Sequence, residues 1–321
     1  MPMQEFLASY AVEVHESGAK KLQDTIQNED EIGKLAASID RMEEQIQRYV
    51  ENLTRITAER ERIGTELALA MRIQADMLPN VFPAFPDRGE FDIYAMMNPA
   101  KEVGGDFYDF FLVDDSHLGV VMADVSGKGV PAALFMTISK IIIQNFAIAG
   151  QDAAKALEQA NAQICANNRE DMFVTVWLGI LDLESGLLSA SNAGHEYPVT
   201  RKDGGMFSLL QDRHGFVVVG LEQSRYKNYE VQFEPGDELF LYTDGVPEAV
   251  NASLEQYGTE RMLDALNRFR GAEPKELLIR MREDISDFCG DAPQFDDITM
   301  LCLKYLGCGK EQGKEQKEKS E

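Results

Sequence analysis

Four short stretches place aspartate at the edge of an apolar, strand-like run. They read Gly104-Gly105-Asp106, Ala123-Asp124-Val125-Ser126-Gly127-Lys128-Gly129, Tyr242-Thr243-Asp244-Gly245 and Phe295-Asp296-Asp297-Ile298-Thr299. Carboxylate oxygen is a hard donor suited to hard divalent cations. A pair of such cations can activate a water and clamp a phosphoryl group.

Each stretch also has a plainer reading. Asp124 follows an apolar run and precedes a glycine-rich turn, so it could be a turn residue or a helix cap. Asp244-Gly245 is a common turn signal. Asp296 and Asp297 are adjacent and repel without a counter-charge, which a cation or solvation in a loop would supply. Asp106 enters the aromatic run Phe107-Tyr108-Asp109-Phe110-Phe111. The combination of four such strand ends in one region points to a shared centre.

The elements that must position them follow from pattern. Phe91–Met97, Phe107–Val113 and Leu118–Val125 read as strands, and Val130–Ala149 and 152–167 as helices. Phe173–Leu183 and Leu187–Asn192 read as a hairpin around Glu184-Ser185-Gly186. Strands at Val231–Phe233 and Glu238–Thr243, helices at Thr259–Arg268 and Pro274–Cys289, and a last strand at Ile298–Leu306 complete the set. Helices come in pairs and do not alternate with strands, which favours stacked antiparallel sheets with helices outside.

Upstream, residues 32, 35, 39, 42, 46, 49, 53, 56, 60, 63, 67 and 70 follow 3-4 spacing and are apolar except Arg60. That repeat predicts a coiled coil running to Leu78-Pro79. Met3, Leu7, Tyr10 and Val14 share the spacing, with Ser17-Gly18 as a breaker before a second helix at Asp30-Glu31-Ile32-Gly33.

The chain has 321 residues, 44% of them hydrophobic, and a formal net charge of −24. That balance argues against a nucleic-acid partner, which needs a basic face. The four cysteines, Cys165, Cys289, Cys302 and Cys308, show no zinc spacing and read as free thiols in a reducing compartment. No signal peptide and no membrane-spanning apolar run is expected, so the expected location is cytoplasmic.

Two resemblances sharpen this reading. Residues 1–50 resemble a HAMP input module, through Pro2 and Asp30-Glu31-Ile32-Gly33-Lys34-Leu35. Ile39-Asp40-Arg41-Met42 departs from that family's usual Phe-Asn-x-Met. HAMP modules normally follow a transmembrane helix, so an upstream membrane or sensor segment absent from this chain is an expectation. Residues 51–78 would then be a signalling coiled coil, making the chain a homodimer through residues 1–78.

Residues 79–306, introduced by Ala75-Asp76-Met77-Leu78-Pro79, resemble the metal-dependent 2C-type serine/threonine phosphatases of the bacterial SpoIIE/RsbU branch. The carrying motifs are the four acidic stretches above, with Glu102-Val103 leading the first, together with Asn192-Ala193-Gly194-His195 and Glu248. The resemblance implies an α+β fold, a four-layer αββα sandwich, with two Mn²⁺ or Mg²⁺ ions. By matched position Asp124 would bridge both ions, and Asp106 and the Val125 carbonyl would hold one. Asp244 and Asp296 would hold the other, with Asp297 behind them, although the adjacent pair leaves open which of the two is the ligand.

The branch implies a phosphoprotein substrate, typically a phosphorylated antagonist of an anti-sigma factor. Ser126 and Lys128 stand where a histidine acid would be expected in the eukaryotic pattern. No arginine immediately precedes Asp106 to clamp the phosphate, and Lys101 is the nearest cation in sequence. His195 reads as a structural residue at a strand end. The competing reading is a catalytically silent pseudophosphatase scaffold. Residues 307–321 read as a disordered polar tail.

Overall fold

The computed structural model describes residues 31–308, except 151, 167 and 170. The expected first helix around Met3–Val14 and nearly all of the polar tail lie outside the described residues. The chain divides into two compact units, residues 1–66 and 67–321.

In the first unit one helix is described. It belongs to α1, which runs unbroken through Glu31–Met77. Good helix formers fill it, and ion pairs such as Arg48–Glu44 add support at one-turn spacing. Its heptad residues, including Leu35, Met42, Ile46, Tyr49 and Leu53, are exposed on this single chain, Tyr49 by 68%. An apolar stripe of that length facing water is the pattern of a helix that expects a partner.

The second unit contains two five-stranded antiparallel sheets. β1 (Phe91–Asn98), β10 (Ile298–Tyr305), β9 (Glu238–Tyr242), β6 (Val199–Arg201) and β7 (Phe207–Leu209) form one sheet in that order. β2 (Phe107–Leu112), β3 (His117–Val125), β4 (Val174–Asp182), β5 (Leu187–Ala193) and β8 (Tyr229–Gln232) form the other. Both faces of the first sheet are covered at its centre, so β9 and β10 are apolar on both sides. In β9, Leu239 and Leu241 face the other sheet, while Phe240 and Tyr242 face helices. β10 does the same with Leu301 and Leu303 on one side and Met300 and Cys302 on the other.

Helices form the outer layers. α2 (Val130–Ile148) and α3 (Ala153–Cys165) lie against the β2–β8 sheet, and α4 (Gly258–Arg268) and α5 (Pro274–Cys289) against the β1–β7 sheet. This is the expected αββα sandwich. α3 is capped by Asp152, whose side chain accepts from Lys155 N at 3.0 Å. α2 begins after Gly129 with no side-chain cap, so Asp124 is not a capping residue.

Two expectations need correction. α2 does have the length and apolar composition to cross a bilayer. Here Ala132, Met136, Ser139, Ile143 and Ala147 bury one side of it in the fold. β6 and β7 are also additional to the expected strands. Each is three residues long; β6 is defined by pairing with distant β9, as in Val199↔Phe240, and β7 pairs with β6.

Candidate metal centre

The sandwich brings the four acidic stretches to one edge. Asp106 immediately precedes β2, and Asp124 sits at the end of β3, opposite Thr175 of β4. Both belong to one sheet. Asp244 follows β9, and Asp296 and Asp297 precede β10, on neighbouring strands of the other sheet.

Asp106 is the buried member, 2% exposed. Its Oδ2 accepts the Thr243 hydroxyl at 2.7 Å and the Thr299 hydroxyl at 2.5 Å. Both threonines come from the opposite sheet, so the carboxylate stitches the layers together. Burial, then the charges of Asp124 and Asp297, push its carboxyl well above the usual carboxylate range, against the pull of the two hydroxyls.

Asp124 is half-buried beside Asp106. Its own carboxyl is pushed up to about 7, first by burial and then by Asp244, with Asp296 and Asp297 adding to the effect. Asp244 is pushed up to about 6 by burial, Asp296 and Glu248. Carboxylates that feel one another this strongly share one electrostatic centre.

Asp297 does a different job from its neighbour. Its Oδ1 accepts from Ala100 N at 2.7 Å and its Oδ2 from Gly105 N at 2.8 Å. It thereby fastens the loop that carries Asp106. Asp296 is half-buried and pairs instead with Lys128, Nζ to Oδ2 at 2.8 Å. The Val125 carbonyl faces the same loop, and a Cβ on Gly105 would lie 2.8 Å from it. At Gly245 a Cβ would collide with the Asp297 carbonyl, so only glycine lets these two strand ends approach.

His195 is 4% exposed and lies behind the carboxylates. Its Nε2 is 3.1 Å from the Tyr242 carbonyl, which can only accept, so Nε2 carries the proton. Nδ1 then accepts the Thr175 hydroxyl at 2.8 Å. The ring is neutral, its pKa lowered to about 3 by burial. It joins the strand ends that carry Asp124 and Asp244 and is placed to hold them, not to transfer protons.

Two contributors were not evident from sequence spacing. Glu196 is half-buried and its carboxyl is raised by burial and by Asp244 and Glu248. Gln74, near the end of α1, grips the Asp106 loop from both sides. Its Nε2 donates to the Gly104 carbonyl at 2.6 Å, and its Oε1 accepts from Gly104 N at 3.2 Å. Lys101, the nearest cation in sequence, is exposed. The cation that reaches the cluster is Lys128. A cavity of about 200 Å³ adjoins it, lined in part by Asp296, Glu248, Arg282 and Gln294.

The donor set fits divalent cations: hard oxygen throughout, with excess negative charge that burial leaves uncompensated. The shell is not closed. Among the described residues no three His, Cys, Asp or Glu are already gathered as tightly as one ion requires.

An αββα sandwich with aspartates from both sheets at one edge defines the 2C-type phosphatase class. Residues 114–306, more than half of the chain, match the family described as Stage II sporulation protein E (SpoIIE), and the chain belongs to that family. It is 30% identical over 302 residues to Protein IcfG of Synechocystis sp., a match that covers 86% of this chain and 46% of that protein. It is 27% identical over 248 residues to phosphoserine phosphatase RsbU of Bacillus subtilis, covering 76% of this chain and 71% of RsbU. The chain thus spans about half the length of the first of these relatives and most of the second. Among solved structures, the PP2C domain of SiaA from Pseudomonas aeruginosa shares the fold with a TM-score of 0.69 and 24% identity. That match covers 77% of this chain and 99% of the domain.

Proposed function

We propose that this chain is a metal-dependent phosphoserine/phosphothreonine protein phosphatase. The observation that carries the reading is the meeting of Asp106 and Asp124, from one sheet, with Asp244 and Asp296, from the other. In this reading two ions, Mn²⁺ or Mg²⁺, would be held by Asp124 at the end of β3, with Asp106 and the Val125 carbonyl from the same sheet and Asp244 and Asp296 from the other. Bound cations would supply an acidified water as nucleophile and positive charge for the phosphoryl oxygens.

The protein's own part is placement. Thr243 and Thr299 fix Asp106, Asp297 fixes its loop, and His195 ties the two strand ends behind the site. The cavity beside Asp296 gives room for a residue flanking the phosphoserine. The relatives RsbU and RsbP of Bacillus subtilis bear the name phosphoserine phosphatase, which favours a phosphoprotein substrate. A phosphorylated antagonist of an anti-sigma factor in the cytoplasm is the substrate and setting the branch suggests.

Gating belongs to the same proposal. The exposed heptad stripe of α1 favours a parallel homodimer through residues 1–78. Gln74 links the last turns of that helix to the Asp106 loop. A shift of those turns would therefore be felt at the metal site.

The test is phosphate release from a phosphoserine peptide by purified protein, with Mn²⁺ or Mg²⁺ and then with chelator. The reading requires release that the chelator abolishes. Release in neither condition, with protein shown to be folded, would favour the scaffold reading instead.

A further inference from the structure

Among the described residues, one ion pair is made to the acidic cluster, and Lys128 makes it. Its ammonium lies 2.8 Å from Asp296 Oδ2, donates to the Phe295 carbonyl at 2.7 Å and stands 3.9 Å from the centre of the Phe295 ring. The two charged side chains are only 29% and 27% exposed. The charge also reaches Asp244, where it opposes the repulsion from Asp296 and Glu248.

The backbone around this lysine turns through two glycines. Gly127 and Gly129 have φ of 91° and 82°, and a Cβ on either would meet nothing within 4 Å. The flanks are fixed. Ser126 N donates to the Phe173 carbonyl at 2.9 Å, Ser126 Oγ accepts from Phe173 N at 2.9 Å, and α2 begins at Val130. Lys128 thus stands between two glycines, themselves between two anchored points.

We propose that Lys128 is a tethered cation with two stations: it occupies Asp296 in place of a divalent ion, and it binds the substrate's phosphoryl oxygens once Asp296 is given up to an ion. This rests on the phosphatase reading above. A divalent ion on Asp296 and an ammonium on the same carboxylate repel each other, so one excludes the other. A half-buried ammonium that loses its carboxylate needs another anion. The substrate's phosphoryl group is the anion that enters this site, and lysine serves as a point-charge phosphate binder. No arginine stands immediately ahead of Asp106 for that task, and Lys101 is exposed.

The proposal predicts opposite changes in two affinities. Mn²⁺ alone is titrated calorimetrically into the full chain as wild type, Lys128→Ala and Lys128→Arg. The alanine variant should bind Mn²⁺ about fivefold tighter, because its competitor is gone. Inorganic phosphate is then titrated into the Mn²⁺-saturated proteins. The alanine variant should bind phosphate about tenfold more weakly, with arginine restoring most of the loss. A lysine that merely braces the loop would not tighten metal binding.

Mn²⁺ affinity that is unchanged or weaker in Lys128→Ala, or phosphate affinity that is unchanged, would overturn the proposal while leaving the phosphatase reading intact. A wild type that binds no Mn²⁺ would overturn both. Lys128→Gln repeats the test if circular dichroism shows the alanine variant to be unfolded.

Discussion

Thr243 donates its hydroxyl to Asp106 across 2.7 Å, from the end of a strand in one sheet to the start of a strand in the other. Thr299 donates to the same oxygen at 2.5 Å. A buried carboxylate in an acidic neighbourhood is held in place by these two bonds. Replacing Thr243 by valine keeps the shape and removes both the donor to Asp106 and the acceptor of the Thr299 N–H. Thr243→Val should cost about 1–3 kcal/mol in urea unfolding. It should also weaken Mn²⁺ binding. Unaltered stability would mean the bond between the sheets contributes nothing.

The adjacent aspartates should separate by experiment. Asp297 accepts two backbone amides from a distant loop, Ala100 N and Gly105 N, whereas Asp296 accepts only its neighbour's amide, Asp297 N, and the Lys128 ammonium. Asp297→Ala should lower the melting temperature, by about 4 °C or more. Asp296→Ala should leave the melting temperature of the metal-free protein nearly unchanged and impair Mn²⁺ binding. The reverse pattern would exchange their assigned roles.

Acid should destabilise the protein through His195. Its pKa is about 3 in the fold against an ordinary 6.5, so the unfolded chain binds a proton over that window and the fold does not. Stability contributed by this group is present above pH 6.5 and is lost as pH falls toward 3. Asp124, pushed up to about 7 from 3.8, works in the opposite sense in metal-free protein: its contribution is lost as pH rises through about 7. Comparison with His195→Gln, which can keep both hydrogen bonds, isolates the histidine. The wild type should lose more stability than the variant between pH 6.5 and 4.5 in urea titrations.

Metal binding should expel protons. Asp106, Asp124 and Asp244 all have raised carboxyls, the last two at about 7 and about 6. A divalent ion needs them ionised. At pH 6, Mn²⁺ binding should release about one to two protons per chain, and fewer as pH rises past about 7. Calorimetry in two buffers of different ionisation enthalpy measures this. No buffer dependence at pH 6 would mean the ion binds elsewhere.

Gln74→Ala removes both bonds to Gly104. Amide exchange at Gly104 and Gly105 should then accelerate by about tenfold while the core strands keep their protection. Uniform acceleration would show global destabilisation in place of a local tether.

Much of this was legible in the sequence because the signals are local. β9 and β10 read as strands since both of their faces are apolar, and the aspartates were visible because each stands where such a run stops. The features that escaped notice depend on partners far along the chain. β6 and β7 are too short to show alternation and exist through pairing with each other and with β9. His195 gains its role from Thr175 and Tyr242, neither of which is its sequence neighbour. Lys128 was visible in the glycine-rich turn, but its contact with Asp296 arises only when the two sheets close. The division of labour between Asp296 and Asp297 was open for the same reason, since the amides that separate them belong to residues 100 and 105.

The central claim is that carboxylates from two sheets form one metal centre shared through Asp124. Equilibrium Mn²⁺ binding, read from the spectrum of free Mn²⁺ against total, tests it in wild type and Asp124→Asn. The account predicts two ions per wild-type chain and at least about a 100-fold loss of affinity for both in the variant. A wild type that binds no Mn²⁺, or a variant that binds two ions as tightly, would contradict it.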